Sequence, residues 1–403
     1  MHTEPSPQLT LAEYQERASC TDKFASDSDA VNHLRYGFFG EVGGLLATVK
    51  KARRETISRS ERATVEEEIG DALWYLAALS KRAGVTFDEI GEAAISALQR
   101  QLHVADTKRV GNGVRFREID GLLAFQGKQI PEPTGKLLYE LAGHTGSLFA
   151  AFDETAGRIA TPRAVDQFGD LLACLGMVAA SFDLQLSDVA RANLRKIAFR
   201  WRIADAPYRD FFDDTFPAHE RFPRQIEIEF VEREVRGKKF VVQQLKGVNI
   251  GDPLTDNRTV ADDYRFHDVF HLAYVAHLGW SPVIRGLLKI KRKSRSETDE
   301  NEDGARAMII EEGIATWIFN YARDKAEYFA KVAEGKLEWA LLKQVHAMVS
   351  GYEVDQCPLW QWEKAILDGF DVFRKLQENR CGIVTADMLT RSITYRAPEG
   401  SAS

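Results

Sequence analysis

Four things are scarce in this sequence, and each scarcity narrows what the chain can be. Cysteine is the first: Cys20, Cys174, Cys357 and Cys381 are scattered through 403 residues. That spacing excludes a disulfide-stapled scaffold and a CxxC metal or redox motif, and it reads as a reduced, cytoplasmic protein. Long apolar runs are scarce as well, and the opening MHTEPSPQ is polar, so neither a signal peptide nor a membrane span is expected. There is no basic excess: 53 Lys and Arg stand against 60 Asp and Glu, a net charge of −7. General nucleic-acid binding is therefore not expected, whereas a nucleotide whose phosphates are met locally remains open. The common phosphate and nucleophile motifs are also missing, with no Walker A, no GxGxxG after a strand and no GxSxG. What remains is a chain too long for one ordinary core, with composition normal for a globular protein, so two or three domains are expected.

The most informative stretch runs from Tyr36 to Tyr75. It holds two helical segments, YGFFGEVGGLLATVKKARR and ATVEEEIGDALWYLAAL. On the first, Leu34, Phe38, Glu41 and Leu45 recur at helical spacing, so Glu41 falls in line with core residues. On the second, Glu68 and Asp71 are three apart and share a face continued by Tyr75. Carboxylates taken out of water need a partner or a cation. Three of them aimed at one seam suggest a hard divalent ion such as Mg²⁺.

These residues resemble the MazG-like, all-α nucleoside triphosphate pyrophosphohydrolases, whose hallmark is ExxE on one helix and ExxD on the next. Here the motifs read Glu41-Val-Gly-Gly44 and Glu68-Ile-Gly-Asp71, within LTLAEYQERAS, GEVG and EEIGDALWYLA of similar wording. Gly44 stands where the second Glu is expected. The resemblance implies Glu41, Glu68 and Asp71 as ligands of Mg²⁺, with Mn²⁺ able to serve. Glu67 is a stand-in for the lost acid, although it lies about 100° round the helix. Glu67 and Glu68 are the candidates for orienting the attacking water.

The same pattern recurs. GEVGG pairs with GHTGS, EEIGDALWYLAAL with DQFGDLLACLGMV, and VTFDEIGEAAISAL with LQLSDVARANLRKI, the last two at a spacing of 99 residues. The second copy puts His144, Ser147 and Gln167 where the first has Glu41, Gly44 and Glu68, and keeps an acid only at Asp170. It has Asn193 and Lys196 where the first has Ala94 and Ala97. By resemblance, Asn193 and Lys196 would contact the nucleotide, with Arg200 following on the same helix. Relatives often build the site at a dimer interface, so the tandem implies a pseudo-dimer within one chain, and a homo-oligomer is a further expectation.

The elements follow from local signals. Thr10 with Glu13, and Thr86 with Glu89, form capping-box patterns. Helices are expected over about 11–19, 29–54, 60–83 and 86–103, with a short one at EIDGLLAF. The Lys50, Lys51, Arg53 and Arg54 cluster complements a helix C-terminus, and the first eight residues and the closing RAPEGSAS read as loose tails. After residue 204 the composition changes. QIEIEFVERE and KKFVVQQLKG alternate about a glycine and predict a β-hairpin. NIGDPLTDN reads as loop and KIKRKSRSETDENEDG as a mobile charged loop. Helices are expected over about 259–278, 305–323, 326–334, 337–350 and 360–378. The expected fold is therefore mainly α: residues 1–104 and 105–204 as two four-helix repeats, then 205–403 as an α+β domain with one hairpin.

That last segment has its own constellation. His267 and His271 are four apart on one helical face, and Glu311 and Glu312 lie on the following long helix. Two histidines at this spacing with a remote Glu can bind a transition metal, although Asp268 stands where a zinc-protease motif needs Glu. Three readings follow. The first is a Mg²⁺-dependent pyrophosphohydrolase acting on a nucleoside triphosphate, the second a non-catalytic nucleotide sensor, and the third a hydrolase acting through His267 and His271.

Overall fold

The computed structural model describes residues 8–22, 29–52, 59–104, 113–125, 133–150, 152–153, 158–159, 164–203 and 206–398. Residues 1–7 and 399–403 of the expected tails and the basic residues Arg53 and Arg54 lie outside them, while Arg396, expected in the closing tail, ends a β-strand. The chain divides into two compact units, Met1–Ala198 and Phe199–Ser403.

The first unit contains α1 (Leu11–Ser19), α2 (Ala30–Ala52), α3 (Arg59–Arg82), α4 (Phe87–Leu102), α5 (Phe116–Phe125), α6 (Thr134–Ala150), α7 (Ala164–Ser181) and α8 (Leu186–Arg200, whose last two residues belong to the second unit), with a two-rung ladder of β1 (Phe152–Asp153) and β2 (Arg158–Ile159). Both capping boxes form: each Thr hydroxyl accepts the backbone N–H of its Glu, and each Glu carboxylate accepts the backbone N–H of its Thr. These bonds satisfy donors that a helix start leaves open. Leu34, Phe38, Val42 and Leu45 of α2 and Val65, Ile69, Ala72, Leu73 and Leu76 of α3 are buried. α2 packs on α3 and α6 on α7, while α4 packs on α7, α2 on α6 and α3 on α7. Both four-helix sets therefore share one core. Among the described residues, α7 is the one helix long and apolar enough to cross a membrane. It is 61% buried inside the unit, as the central helix of a bundle is.

The second unit is built on a five-stranded antiparallel sheet in the order β5-β4-β3-β6-β7. Its strands are β3 (Gln225–Val235), β4 (Lys238–Leu245), β5 (Val248–Leu254), β6 (Cys381–Asp387) and β7 (Ser392–Arg396). The expected hairpin is β3–β4, closed at Arg236 and Gly237, both with positive φ, the geometry that suits a two-residue hairpin turn. β5 replaces an expected loop, and β6 and β7 were not expected. The helices are α9 (Asp268–Leu278), α10 (Pro282–Leu288), α11 (Ser296–Asn301), α12 (Ala305–Lys325), α13 (Trp339–Met348) and α14 (Leu359–Asn379). α9 and α14 pack on each other and on β6 and β7. The helix expected from 259 starts only at Asp268, because Asp263 is left-handed (φ 66) and a 3₁₀ turn, Tyr264–Phe266, follows it. The helix expected over 326–334 is a single 3₁₀ turn, Glu327–Phe329.

The charged run after α10 is folded rather than loose. Arg292 and Asp303 are fully buried, and Arg292 bonds Asp303 and Glu353, each at 2.7 Å. Its charges are answered in the interior, so composition alone misleads here. Removing one member of such a pair strands a charge away from water. Asp303→Ala should therefore destabilise the second unit by about 3–5 kcal/mol, read as a lower urea midpoint at unchanged slope.

Candidate functional site

The seam between α2 and α3 is set by glycines. A Cβ built on Gly37 would overlap the Tyr75 ring, and one built on Gly44 would overlap the Glu68 carboxylate. Gly44 therefore leaves no hole where a fourth acid was expected, because Glu68 occupies the space. Glu41 faces the same seam. Burial, followed by the neighbouring Glu68 and Asp71, pushes the Glu41 carboxyl from 4.5 up to about 8. Burial, with Glu41 and Asp71 nearby, pushes the Tyr75 phenol up to about 12. A raised carboxyl is the mark of acids not matched by cations.

The helix α8 meets this seam from the other four-helix set. Asn193 Nδ2 donates to Asp71 Oδ1 at 3.0 Å, and Lys196 Nζ to Asp71 Oδ2 at 2.5 Å. Lys196 also meets Glu67 Oε1 at 2.8 Å. Tyr14 Oη donates to Asn193 Oδ1 at 2.8 Å, which fixes the amide's orientation. Gly70 makes room for α8, since a Cβ there would lie 3.0 Å from that of Asn193. Burial works against the Lys196 charge, but Asp71 and Glu67 outweigh it and hold its pKa above 10.5. Asp71 is thus brought together with Asn193 and Lys196, Glu67 faces Lys196, and Glu41 and Glu68 lie near enough for their charges to be felt, without the three acids closing into one tight ligand cluster. Arg200 is the exception among the expected substrate contacts. It is buried, and it bonds Glu363 at 2.6 Å and the Leu337 carbonyl at 2.7 Å within the second unit. Arg200 lies beyond Ala198, where the first unit ends.

A second cluster lies in the second unit. His267 Nε2 is 3.2 Å from Asp268 Oδ1 and 3.6 Å from Glu312 Oε2, and His271 Nε2 is 3.6 Å from the same Glu312 oxygen. His271 Nδ1 lies 2.8 Å from Glu311 Oε1, which also accepts from Ser281 Oγ at 2.6 Å, while Glu311 Oε2 accepts from the Val283 N–H at 2.8 Å. Glu311 therefore stands behind His271, not beside Glu312 as the sequence spacing suggested. Among the described residues, the group of His, Cys, Asp and Glu whose ligand atoms all lie within 4.8 Å is His267, Asp268 and His271. A cleft of about 980 Å³ opens on His267, Asp268 and Glu312.

Residues 207–399 match the family model described as the MazG C-terminal domain. The Gene 37 protein of Mycobacterium phage L5 is 32% identical over 94 residues, which is 21% of this chain and 82% of that protein. The chain belongs to a MazG-related family. No solved structure matches it. The His267 cluster of this MazG-related chain lies inside the matched segment, and the Glu41 seam lies outside it.

Sequence reasoning did not single out Tyr14, Gln243, Asp268 or Ser281 as site residues. Tyr14 sits in the LTLAEYQERAS stretch, and Ser281 precedes Pro282 as a helix N-cap does; both signals were readable. Gln243, which donates to Asp268 Oδ2, sits at a register shift between β4 and β5, and that depends on strand pairing alone.

The Glu41 carboxyl sets a pH dependence. The folded chain holds this proton up to about pH 8, while the unfolded chain releases it near 4.5. Between these values the folded state binds more protons, so stability falls as pH rises. In EDTA the melting temperature of the first unit should fall from about pH 5 to about pH 8, and Glu41→Gln should flatten that slope. An unchanged slope in the variant would assign the dependence elsewhere.

Proposed function

We propose that the first unit hydrolyses a nucleoside triphosphate to the monophosphate and pyrophosphate, with Mg²⁺ held by Glu41, Glu68 and Asp71. The observation that carries the reading is the placing of the acids: Glu68 fills the space beside Gly44, and Asp71 is bonded by Asn193 and Lys196 from the other four-helix set. Glu41, Glu68 and Asp71 offer an all-oxygen donor set, which fits a hard divalent cation that would draw them together. The MazG relation supports the reaction class at the level of the family. When bound, the ion would offset polyphosphate charge and lower the pKa of the attacking water.

The side chains divide the remaining work. Glu67 or Glu68 would orient the water and accept its proton. Lys196 would pass from Asp71 and Glu67 to a phosphate oxygen, and Asn193, steadied by Tyr14, would turn to the base. Both come from the four-helix set that lacks the acids, so the two sets would act as complementary halves of one site.

Glu68→Gln and Asp71→Asn should each lower Mg²⁺-dependent pyrophosphate release by about 10²–10⁴-fold in a screen of ribo-, deoxy- and damaged nucleoside triphosphates. Lys196→Ala should raise KM more than it lowers kcat. Wild-type turnover in both acid variants would overturn the assignment. Nucleotide binding without pyrophosphate from the unaltered chain would instead make the unit a sensor.

A further inference from the structure

We propose that the second unit holds a transition-metal centre, with His267 Nε2, His271 Nε2, Asp268 and Glu312 as its ligands. This site is separate from the seam of Glu41, Glu68 and Asp71 and does not depend on the reading given to that seam.

The first support is spacing. Metal bonds of about 2.0–2.2 Å in tetrahedral array put neighbouring ligand atoms roughly 3.3–3.6 Å apart. Of the six separations in such an array, three are seen at 3.2, 3.6 and 3.6 Å, and the ligand atoms of His267, Asp268 and His271 all lie within 4.8 Å of one another. The two longer ones exceed a hydrogen bond, yet both imidazoles point at the same Glu312 oxygen. The second support is an orphan: His271 is fully buried, and its Nε2 has no hydrogen-bond partner. A buried polar atom left so is costly unless something coordinates it.

The third support is orientation. Both Nδ1 atoms are engaged from behind, that of His271 by Glu311 at 2.8 Å and that of His267 by the Tyr264 carbonyl at 2.9 Å. Histidine ligands are commonly aimed in this way. The Tyr264 ring stacks on His267 with centroids 4.2 Å apart, and Tyr264 Oη is held by Thr316 at 2.7 Å. Gln243 donates to Asp268 Oδ2 and turns Oδ1 toward His267.

Two nitrogen donors favour zinc, cobalt, manganese or iron over Mg²⁺ or Ca²⁺. The cleft that reaches His267, Asp268 and Glu312 leaves the centre open on one side. Water or an oxygen donor of a molecule bound in the cleft would enter there as a fifth ligand or in place of Glu312, whose side chain is half-exposed, leaving three protein ligands as in working metal sites.

The test uses the full chain, stripped with EDTA and titrated with Co²⁺, with visible d–d absorption and bound metal per chain as readouts. About one Co²⁺ per chain should bind in unaltered protein, displaced by Zn²⁺ and not by millimolar Mg²⁺. Glu68→Gln should leave this binding intact even where it removes pyrophosphate release, so the two sites fail independently. Glu312→Gln, whose side chain is half-exposed, and His267→Asn should each weaken Co²⁺ binding at least tenfold while keeping the far-ultraviolet dichroism of the unaltered chain. Wild-type affinity in both variants, or no visible Co²⁺ band in the unaltered chain, would overturn the proposal.

Discussion

Gly37 and Gly44 let α2 and α3 close on each other until Tyr75 and Glu68 fill the space where glycine has no side chain. The placing of the acids follows from that approach. With the helices this near, Glu41 cannot turn to water without leaving the face it shares with Leu34, Phe38 and Leu45. Burial, with Glu68 and Asp71 nearby, raises its pKa instead. Gly70 repeats the device for α8, which brings Asn193 and Lys196 onto Asp71. Small residues at three points thus decide which charges meet.

The two candidate sites answer the same difficulty differently. At the bundle seam the donors are all oxygen, and the cation of the chain itself, Lys196, is turned toward Asp71 and Glu67. In the second unit the donors are mixed nitrogen and oxygen, and the imidazoles are fixed by groups behind them. Hard and borderline cations would sort between the two by donor chemistry. The sorting needs no difference in overall charge, since both sites are acidic.

What the sequence disclosed follows the range over which each signal acts. Capping boxes, helical stripes and the β3–β4 turn act within a few residues, and Thr10, Thr86 and Gly237 announce them. That Asn193 and Lys196 belong near the acids of the first set was readable only because the helical pattern repeats; their direct bonds to Asp71 were not expected. Arg200 misled because helical periodicity says which residues share a face and not where that face leads. The charged run around Arg292 misled because, although Asp303 lies within it, its other partner Glu353 and the Asp213 that pairs with nearby Arg285 lie far away in sequence. β6 and β7 are short, and their strand character comes from joining a sheet whose other members lie far back in the chain.

The order of that sheet has a last consequence. Its outer members are β5 and β7, and open backbone on an outer strand is a template for another chain to copy. β5 carries Pro253, which has no N–H to offer an incoming strand, beside Gly251 and Asp252. β7 is only five residues long. The sheet is closed to growth by strand addition at one side and offers little length at the other. A second copy of this chain would therefore have to associate through side-chain surfaces rather than by extending the ladder.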